Sequence, residues 1–249
     1  MTRCSAKSPS GPLPDSSGRS EGPPEDLGRL RRIYRGYAED PRKRRKWAAD
    51  NPGNEAIRAE LLAAVEELTE DRLGGEVLDV GCGGGWLLEA LSRGGVEPSK
   101  LHGVEALAER AAAASRRVPG AQVQVADARR LPYENDRFEL VTLIVVVSSM
   151  RDHSAVAAAL REARRVASPT GVVLCYEPRL ANPLNRATHL ISRRELERGL
   201  GPITAQRLLA GLPPLARRLG PAAPRLYPLL SRLAPTHRLT AHAGSAAPR

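Results

Sequence analysis

The chain has 249 residues, enough for one large α/β domain with appended helices, and a formal net charge of +10. Its three cysteines, Cys4, Cys82 and Cys175, are scattered and odd in number, which excludes a disulfide framework or a cysteine metal cluster. Aromatic residues make up only 3 % of the chain, too few for extended stacking on single-stranded nucleic acid.

The positive charge is unevenly spread. Residues 51–177 are net acidic, whereas residues 1–50 and 178–249 are both net basic. A basic C-terminal region suits an acidic or carrier-linked small molecule better than a nucleic acid. No segment has the pattern of a signal peptide, and the longest apolar run, 140–147, is far short of the ~20 residues that span a bilayer. The expectation is a cytoplasmic protein with no membrane contact.

Residues 1–26 are Ser, Pro and Gly with few large apolar groups, and they read as a disordered tail. Residues 27–72 read as an N-terminal helical cap. Within it, 27–37 has Leu30, Ile33, Tyr34 and Tyr37 at helical spacing. The run Arg42, Lys43, Arg44, Arg45, Lys46 then forms a solvated basic face or a phosphate contact, and Trp47 follows. The stretch Asn51, Pro52, Gly53, Asn54 starts a further helix, with Ile57, Leu61, Leu62, Val65 and Leu68 on its apolar face.

The next stretch organises the rest. Val77, Leu78 and Val80 make a short buried strand, and Gly81, Gly83, Gly84 and Gly85 turn it into a helix that opens at Trp86. Such a turn brings backbone N–H groups and the positive end of a helix dipole to a ligand. A dinucleotide fingerprint needs glycine where Trp86 stands, so the pyrophosphate half of that signal is damaged. The ribose half is intact, because Glu105 closes the next strand-like run about 20 residues on. A nucleoside without phosphates fits this combination.

Beyond the turn, strands and helices alternate: helix 107–118, strand 122–126, strand 140–147, helix 154–167 with Ser154 as its N-cap, and strand 172–176. Alternation of this kind means parallel strands with helices on both faces. Residues 203–209 and 237–242 read as two late strands. Residues 73–177 are therefore expected to form the cofactor-binding core, and 178–249 a region that completes the sheet and holds substrate.

The run V-L-D-V-G-C-G-G-G-W from Val77, with Glu105, with V-Q-V-A-D-A ending at Ala128 and with Phe138 to Val141, resembles the class I S-adenosylmethionine-dependent methyltransferases. The likeness covers roughly 73–177, and it departs at Glu139, where Asp is commoner, and at Pro169, Thr170, Gly171, where Pro-Gly-Gly is commoner. The resemblance implies a Rossmann-like, mostly parallel sheet with an antiparallel C-terminal edge. It implies S-adenosylmethionine as cofactor, with Asp79, Gly81, Cys82, Gly83, Glu105, Ala106, Asp127, Ala128 and Val145 around it. Glu105 would take the ribose hydroxyls, and Asp127 with Ala128 the adenine edge. Helices before the first strand commonly wall the substrate pocket in this family, which makes Tyr34, Tyr37 and Trp47 lining candidates.

Methyl transfer asks mainly for proximity and alignment. A base is needed where the acceptor is an alcohol or phenol. His153, after the central strand, is the leading candidate and His189 the weaker one, with Ser149 and Arg179 as acceptor contacts. Glu177 and the Asn182, Pro183, Leu184, Asn185, Arg186 segment belong to the same region. Val147, Ser148, Ser149, Met150 lacks the motif of the enzymes that methylate nucleic-acid bases, and Asp152 lacks the carboxylate partner of the metal-assisted type, so no metal is expected. The acceptor expected is an oxygen or nitrogen of a small bacterial metabolite, a sugar or natural-product intermediate. Peptide or protein methylation and a nicotinamide-dependent oxidoreductase stay open as alternatives.

Overall fold

The computed structural model describes residues 25–69, 73–180 and 189–244. The expected tail up to residue 24 and the segment Asn182 to Arg186 lie outside the described residues. Three helices come first: α1 (Glu25–Glu39), α2 (Pro41–Trp47) and α3 (Pro52–Thr69). Asp40 caps α2, accepting from the N–H groups of Arg42 and Lys43, and Pro41 is pre-set for its first turn.

The core then runs β1 (Val77–Val80), α4 (Trp86–Arg93), β2 (Leu101–Glu105), α5 (Ala108–Arg117), β3 (Gln122–Val125), β4 (Phe138–Ile144), α6 (His153–Val166) and β5 (Ala167–Pro178). It ends in α7 (Arg193–Leu200), β6 (Ile203–Gly211), α8 (Pro213–Ala216), α9 (Ala223–Leu233) and β7 (Pro235–Ala243). The seven strands form one sheet in the order β3-β2-β1-β4-β5-β7-β6. β1 to β5 are parallel, and β7 runs antiparallel to both β5 and β6. This is the Rossmann-like α/β sheet with an antiparallel C-terminal edge that the sequence implies.

Both faces of the central strands are buried, as parallel sheets require. Val77, Leu140, Val172 and Leu174 pack on one face with Leu61 and Val65 of α3 and Leu87 and Leu91 of α4. Leu78, Val80, Val141, Val173 and Cys175 pack on the other with Val156, Leu160 and Ala163 of α6 and Leu196 of α7. The period of two along each strand thus sorts the core into two clusters. Among the described residues no helix is long and apolar enough to cross a membrane.

Two boundaries differ from expectation. The N-cap of α6 is Asp152, whose carboxylate accepts from Ser154 N at 2.8 Å, so Ser154 already lies inside the helix. The central strand stops at Ile144 rather than Val147, because Val145 adopts φ 56° and breaks the ladder. A β-branched residue in the left-handed region is strained and needs a tertiary reason.

Candidate active site

Chain order reverses between β1 and β4, and the carboxyl ends of these strands open a crevice where sheets of this kind bind ligands. The glycine turn forms its floor. Gly81 and Cys82 both donate to the Val104 carbonyl, at 2.7 and 3.0 Å, which ties the turn to the end of β2. A Cβ at Gly81 would lie 2.7 Å from the Val146 side chain, and its φ of 71° suits glycine. Close packing on the neighbouring helix, which Trp86 forbids, is supplied one residue earlier. At Gly85 (φ 76°) a Cβ would press on Ala114 of α5 at 3.0 Å.

Glu105 links the turn to the second loop. Its carboxylate accepts from Gly83 N and Leu107 N, each at 3.0 Å, and from Arg110 Nε at 3.3 Å. Arg110 in turn lies 3.9 Å from the ring centre of Tyr34 on α1, so the helical cap closes over the crevice. Beneath it, Asp79 is buried and accepts from the Thr142 hydroxyl at 2.7 Å. Burial pushes the Asp79 carboxyl up to about 7, with the Thr142 bond opposing and the Glu105 charge adding to the shift. Two carboxylates at the turn, one of them holding the Gly83 N–H, disfavour a pyrophosphate and favour a cationic ligand with a ribose.

Asp127 stands at the third loop, where Arg129 grips its carboxylate with Nε at 2.9 Å and Nη2 at 2.6 Å. Burial raises its pKa, but the hydrogen bonds and charge of Arg129 outweigh that and hold the carboxyl below its usual range.

The strained Val145 marks the fourth loop. Its N–H donates to the Tyr176 carbonyl at 2.8 Å, and its own carbonyl accepts from Ser149 Oγ at 3.0 Å. Glu177, fully buried at the end of β5, accepts from Val147 N and Ser148 N at 3.0 and 3.3 Å. Burial pushes its carboxyl up to about 7. Glu177 thereby pulls residues 147–149 out of the strand direction, and Val145 absorbs the turn. Positioning of this loop is its role.

All four loops border one cleft of about 2090 Å³, at least twice the usual 300–1,000 Å³ of a small-ligand site. Asp79, Gly81, Cys82, Gly83, Glu105, Ala106, Asp127, Ala128 and Val145 line it, as do Tyr34, Tyr37, Trp47, Ser149 and His189. His153 and Arg179 do not. His153 is 76 % exposed and pairs with Glu195 of α7 at 2.8 Å, because the first turn of α6 faces outward there. Arg179 is exposed and donates to the Pro235 carbonyl at 3.0 Å. His189 replaces His153 at the cleft. Its Nε2 is buried without a hydrogen-bond partner among the described residues, and burial holds its pKa below the ordinary value.

The far end of the cleft holds residues that the sequence did not single out: Asn54, Arg58, Arg217 and His237, beside Tyr176. Tyr176 stacks on His237 with ring centres 5.0 Å apart, and Tyr37 on Trp47 at 5.5 Å. No spacing rule connects these residues, which come from α1, α2, α3, β5, β7 and the end of α8.

The comparisons with known proteins agree with this geometry. Residues 78–175 match the family model described as a methyltransferase domain. No curated protein matches the chain. Among solved structures, the chain is similar to the cyclase SpnF (20 % identity, 76 % of this chain and 82 % of that one, TM-score 0.57). It is similar to an S-adenosylmethionine-dependent methyltransferase from Mesorhizobium loti (18 %, 78 % and 98 %, TM-score 0.54). It is also similar to geranyl diphosphate C-methyltransferase from Streptomyces coelicolor A3(2) (17 %, 88 % and 93 %, TM-score 0.56). At these identities the likeness is one of fold, and the presence of a cyclase shows that the fold alone does not set the reaction.

The domain match over residues 78–175 and the order of the sheet agree with the resemblance to the class I S-adenosylmethionine-dependent methyltransferases. Residues 78–175 thus carry a methyltransferase domain, for which the implied cofactor is S-adenosylmethionine.

Proposed function

We propose that the protein moves a methyl group from S-adenosylmethionine to an oxygen or nitrogen of a small metabolite, such as a sugar or natural-product intermediate. The observation that carries this reading is the cleft, which has room for a second molecule beside the cofactor and, on its wall, a histidine nitrogen without a hydrogen-bond partner among the described residues. In this reading Glu105 holds the ribose hydroxyls and Asp127 with Ala128 the adenine edge. Gly81, Cys82, Gly83, Ala106 and Val145 shape the remaining contacts. Asp79 balances the positive charge of the cofactor, whose sulfonium supplies the leaving group. Residues 27–72 act as the cap, 73–177 as the cofactor core and 178–249 as the substrate-binding and sheet-completing region. A bound small molecule, geranyl diphosphate, in the Streptomyces coelicolor neighbour supports an acceptor of this size.

His189 is the base we assign, in place of His153. Below its ordinary pKa the imidazole is neutral near pH 7 and can take a proton from an alcohol or phenol. Tyr34, Tyr37, Trp47 and Ser149 line the acceptor side. A peptide or protein acceptor is the second reading, favoured by the exposed basic face of α2.

Calorimetry with S-adenosylhomocysteine and with NADH tests the cofactor assignment; binding of NADH alone overturns it. Acceptor-dependent release of S-adenosylhomocysteine, screened over sugars, phenols, amines and peptides, then tests the substrate class. Turnover with peptides only would replace the first reading by the second.

A further inference from the structure

The acceptor end of the cleft has an electrostatic character opposite to the cofactor end. The carboxylates that line the cleft are Asp79 and Glu105 at the ends of β1 and β2, Glu109 at the start of α5 and Asp127 on the loop after β3. Of the other guanidinium groups there, Arg31, Arg35 and Arg44 are exposed, Arg58 lies in the field of Glu55 and Glu89, Arg110 is paired with Glu105 and Arg129 with Asp127. Arg217 has no such partner. It is half-buried at the end of α8, and among the described residues no carboxylate lies within 4 Å of it. Glu60 of α3 is engaged elsewhere, by Tyr227, Ser231 and the N–H of Ala210.

The guanidinium is nonetheless held in one place. Its Nε donates to Asn54 Oδ1 at 2.6 Å, and its Cζ lies over Trp47, 4.1 Å from the ring centre. Asn54 is fixed in turn, donating to the carbonyls of Lys46 and Ala48 at 3.0 and 2.9 Å. The backbone on either side is pressed on α3 so closely that a Cβ at Gly53 would lie 2.3 Å from the Ala216 carbonyl oxygen. These contacts use one N–H of the five that the group carries, and leave the two-pronged end without a partner.

A half-buried, oriented cation without a counter-ion is costly in an isolated protein, and a ligand that supplies the missing charge recovers that cost. Burial already pushes the pKa of Arg217 down to about 10, so it remains charged at neutral pH. Its field adds to burial in pushing His237 down to about 4, which keeps that neighbouring ring neutral. Arg58 contributes a second positive charge to the same wall, stacked over Trp86.

We infer that Arg217 is the recognition element for an anionic group, a carboxylate or a phosphate, on the methyl acceptor. The inference rests on the methyl-transfer reading for the word acceptor, but the anion site itself does not depend on it. A planar guanidinium fork matches both groups in two-point contact, which a lysine at this place would not give. A cationic acceptor such as a polyamine or a basic peptide is repelled here. The anion at Arg217 anchors one end of the acceptor and leaves its other end for the loop of Ser149 and His189.

Calorimetry on the full chain saturated with S-adenosylhomocysteine tests this, with benzoate and phenyl phosphate as anionic probes and benzamide as their neutral counterpart. At least one anionic probe is expected to bind ten-fold or more tightly than benzamide, and the tighter of the two identifies the group. Arg217→Gln should bring that probe to the level of benzamide, and Arg217→Lys should fall between. Benzamide binding as tightly as both acids overturns the inference without any variant, as does the absence of measurable binding by either acid. Unchanged affinity in a folded Arg217→Gln protein overturns it too. Failure of the unaltered protein to bind S-adenosylhomocysteine would count against the methyl-transfer reading alone, since the anionic probes can be titrated without it.

Discussion

The two ends of the cleft are built on different plans. The proposed cofactor end comes from the ends of β1 and β2 and the loops that follow β3 and β4 of one parallel sheet, so each lining residue sits at or near a strand terminus and is set by short-range spacing. Its lining carboxylates are Asp79, Glu105, Glu109 and Asp127. The proposed acceptor end is assembled from the first three helices and from the last third of the chain, with Arg217 meeting Asn54 across 163 positions of sequence. It is cationic and aromatic. A cofactor common to many enzymes can be held by a recurrent scaffold, whereas the acceptor is held by parts free to vary around it.

The sharpest way to break this division is to separate binding from turnover. His189→Ala is expected to lower turnover by about 100-fold or more, in line with the roughly 10²–10⁴ that a general base contributes. Its affinity for S-adenosylhomocysteine should stay nearly unchanged. Steady-state kinetics on an alcohol or phenol acceptor checks this, and equal losses in both quantities would mean that the two ends are not independent.

Glu105→Ala should do the reverse. It removes hydrogen bonds to a charged group, each worth about 1.5–3 kcal/mol, so a loss of about 100-fold in S-adenosylhomocysteine affinity is expected. It also frees Arg110 and loosens Tyr34 of the cap. Calorimetry reads the affinity, and proteolysis near α1 reads the cap.

The pH dependence sharpens the contrast further. Asp79 and Glu177 hold protons up to about 7 in the folded chain, whereas ordinary Asp and Glu lose them near 3.8 and 4.5. Between those limits the folded state binds more protons than the unfolded one, so the stability of the free protein should fall as pH rises from about 4 to about 7. A positively charged cofactor favours ionised Asp79, so its affinity should rise over the upper part of that range and level off above it. Thermal unfolding with and without S-adenosylmethionine, whose sulfonium carries the charge, measures both slopes, and Asp79→Asn should flatten the second. A ligand affinity that falls with pH would remove Asp79 from the cofactor site.

The smallest effect is expected at His153. Exposed and paired with Glu195, it can lose its ring at a cost of under about 1 kcal/mol, as surface ion pairs do. His153→Ala should leave turnover within about two-fold. A large loss there would restore it as the base and displace His189.

Much of the cofactor end was readable from residue order. Val77 to Trp86 announces a strand, a turn and a helix through local conformational preferences, and Glu105 and Asp127 follow at the spacing that successive parallel strands impose. The replacement of the expected glycine by Trp86 was also visible, but not that Gly85 takes over its packing role against Ala114. That substitution depends on how α5 lies across the turn.

The end of β4 was misread for a related reason. Leu140 to Val147 is an unbroken β-branched and apolar run, and local propensity continues the strand through it. The buried Glu177, thirty positions later, captures the Val147 N–H and stops the strand early. A long-range hydrogen bond to a buried carboxylate outweighs a preference worth at most about 1 kcal/mol per residue.

Local order in the chain therefore dictated the parallel sheet, the cofactor and three of the loops that meet around it, because strand period and turn chemistry act over a few residues. Which histidine and which unpaired arginine face the cleft, and what shape the fourth loop takes, were decided only on folding. His189, Arg217 and Val145 owe their settings to partners far away in sequence, and packing alone selects those partners.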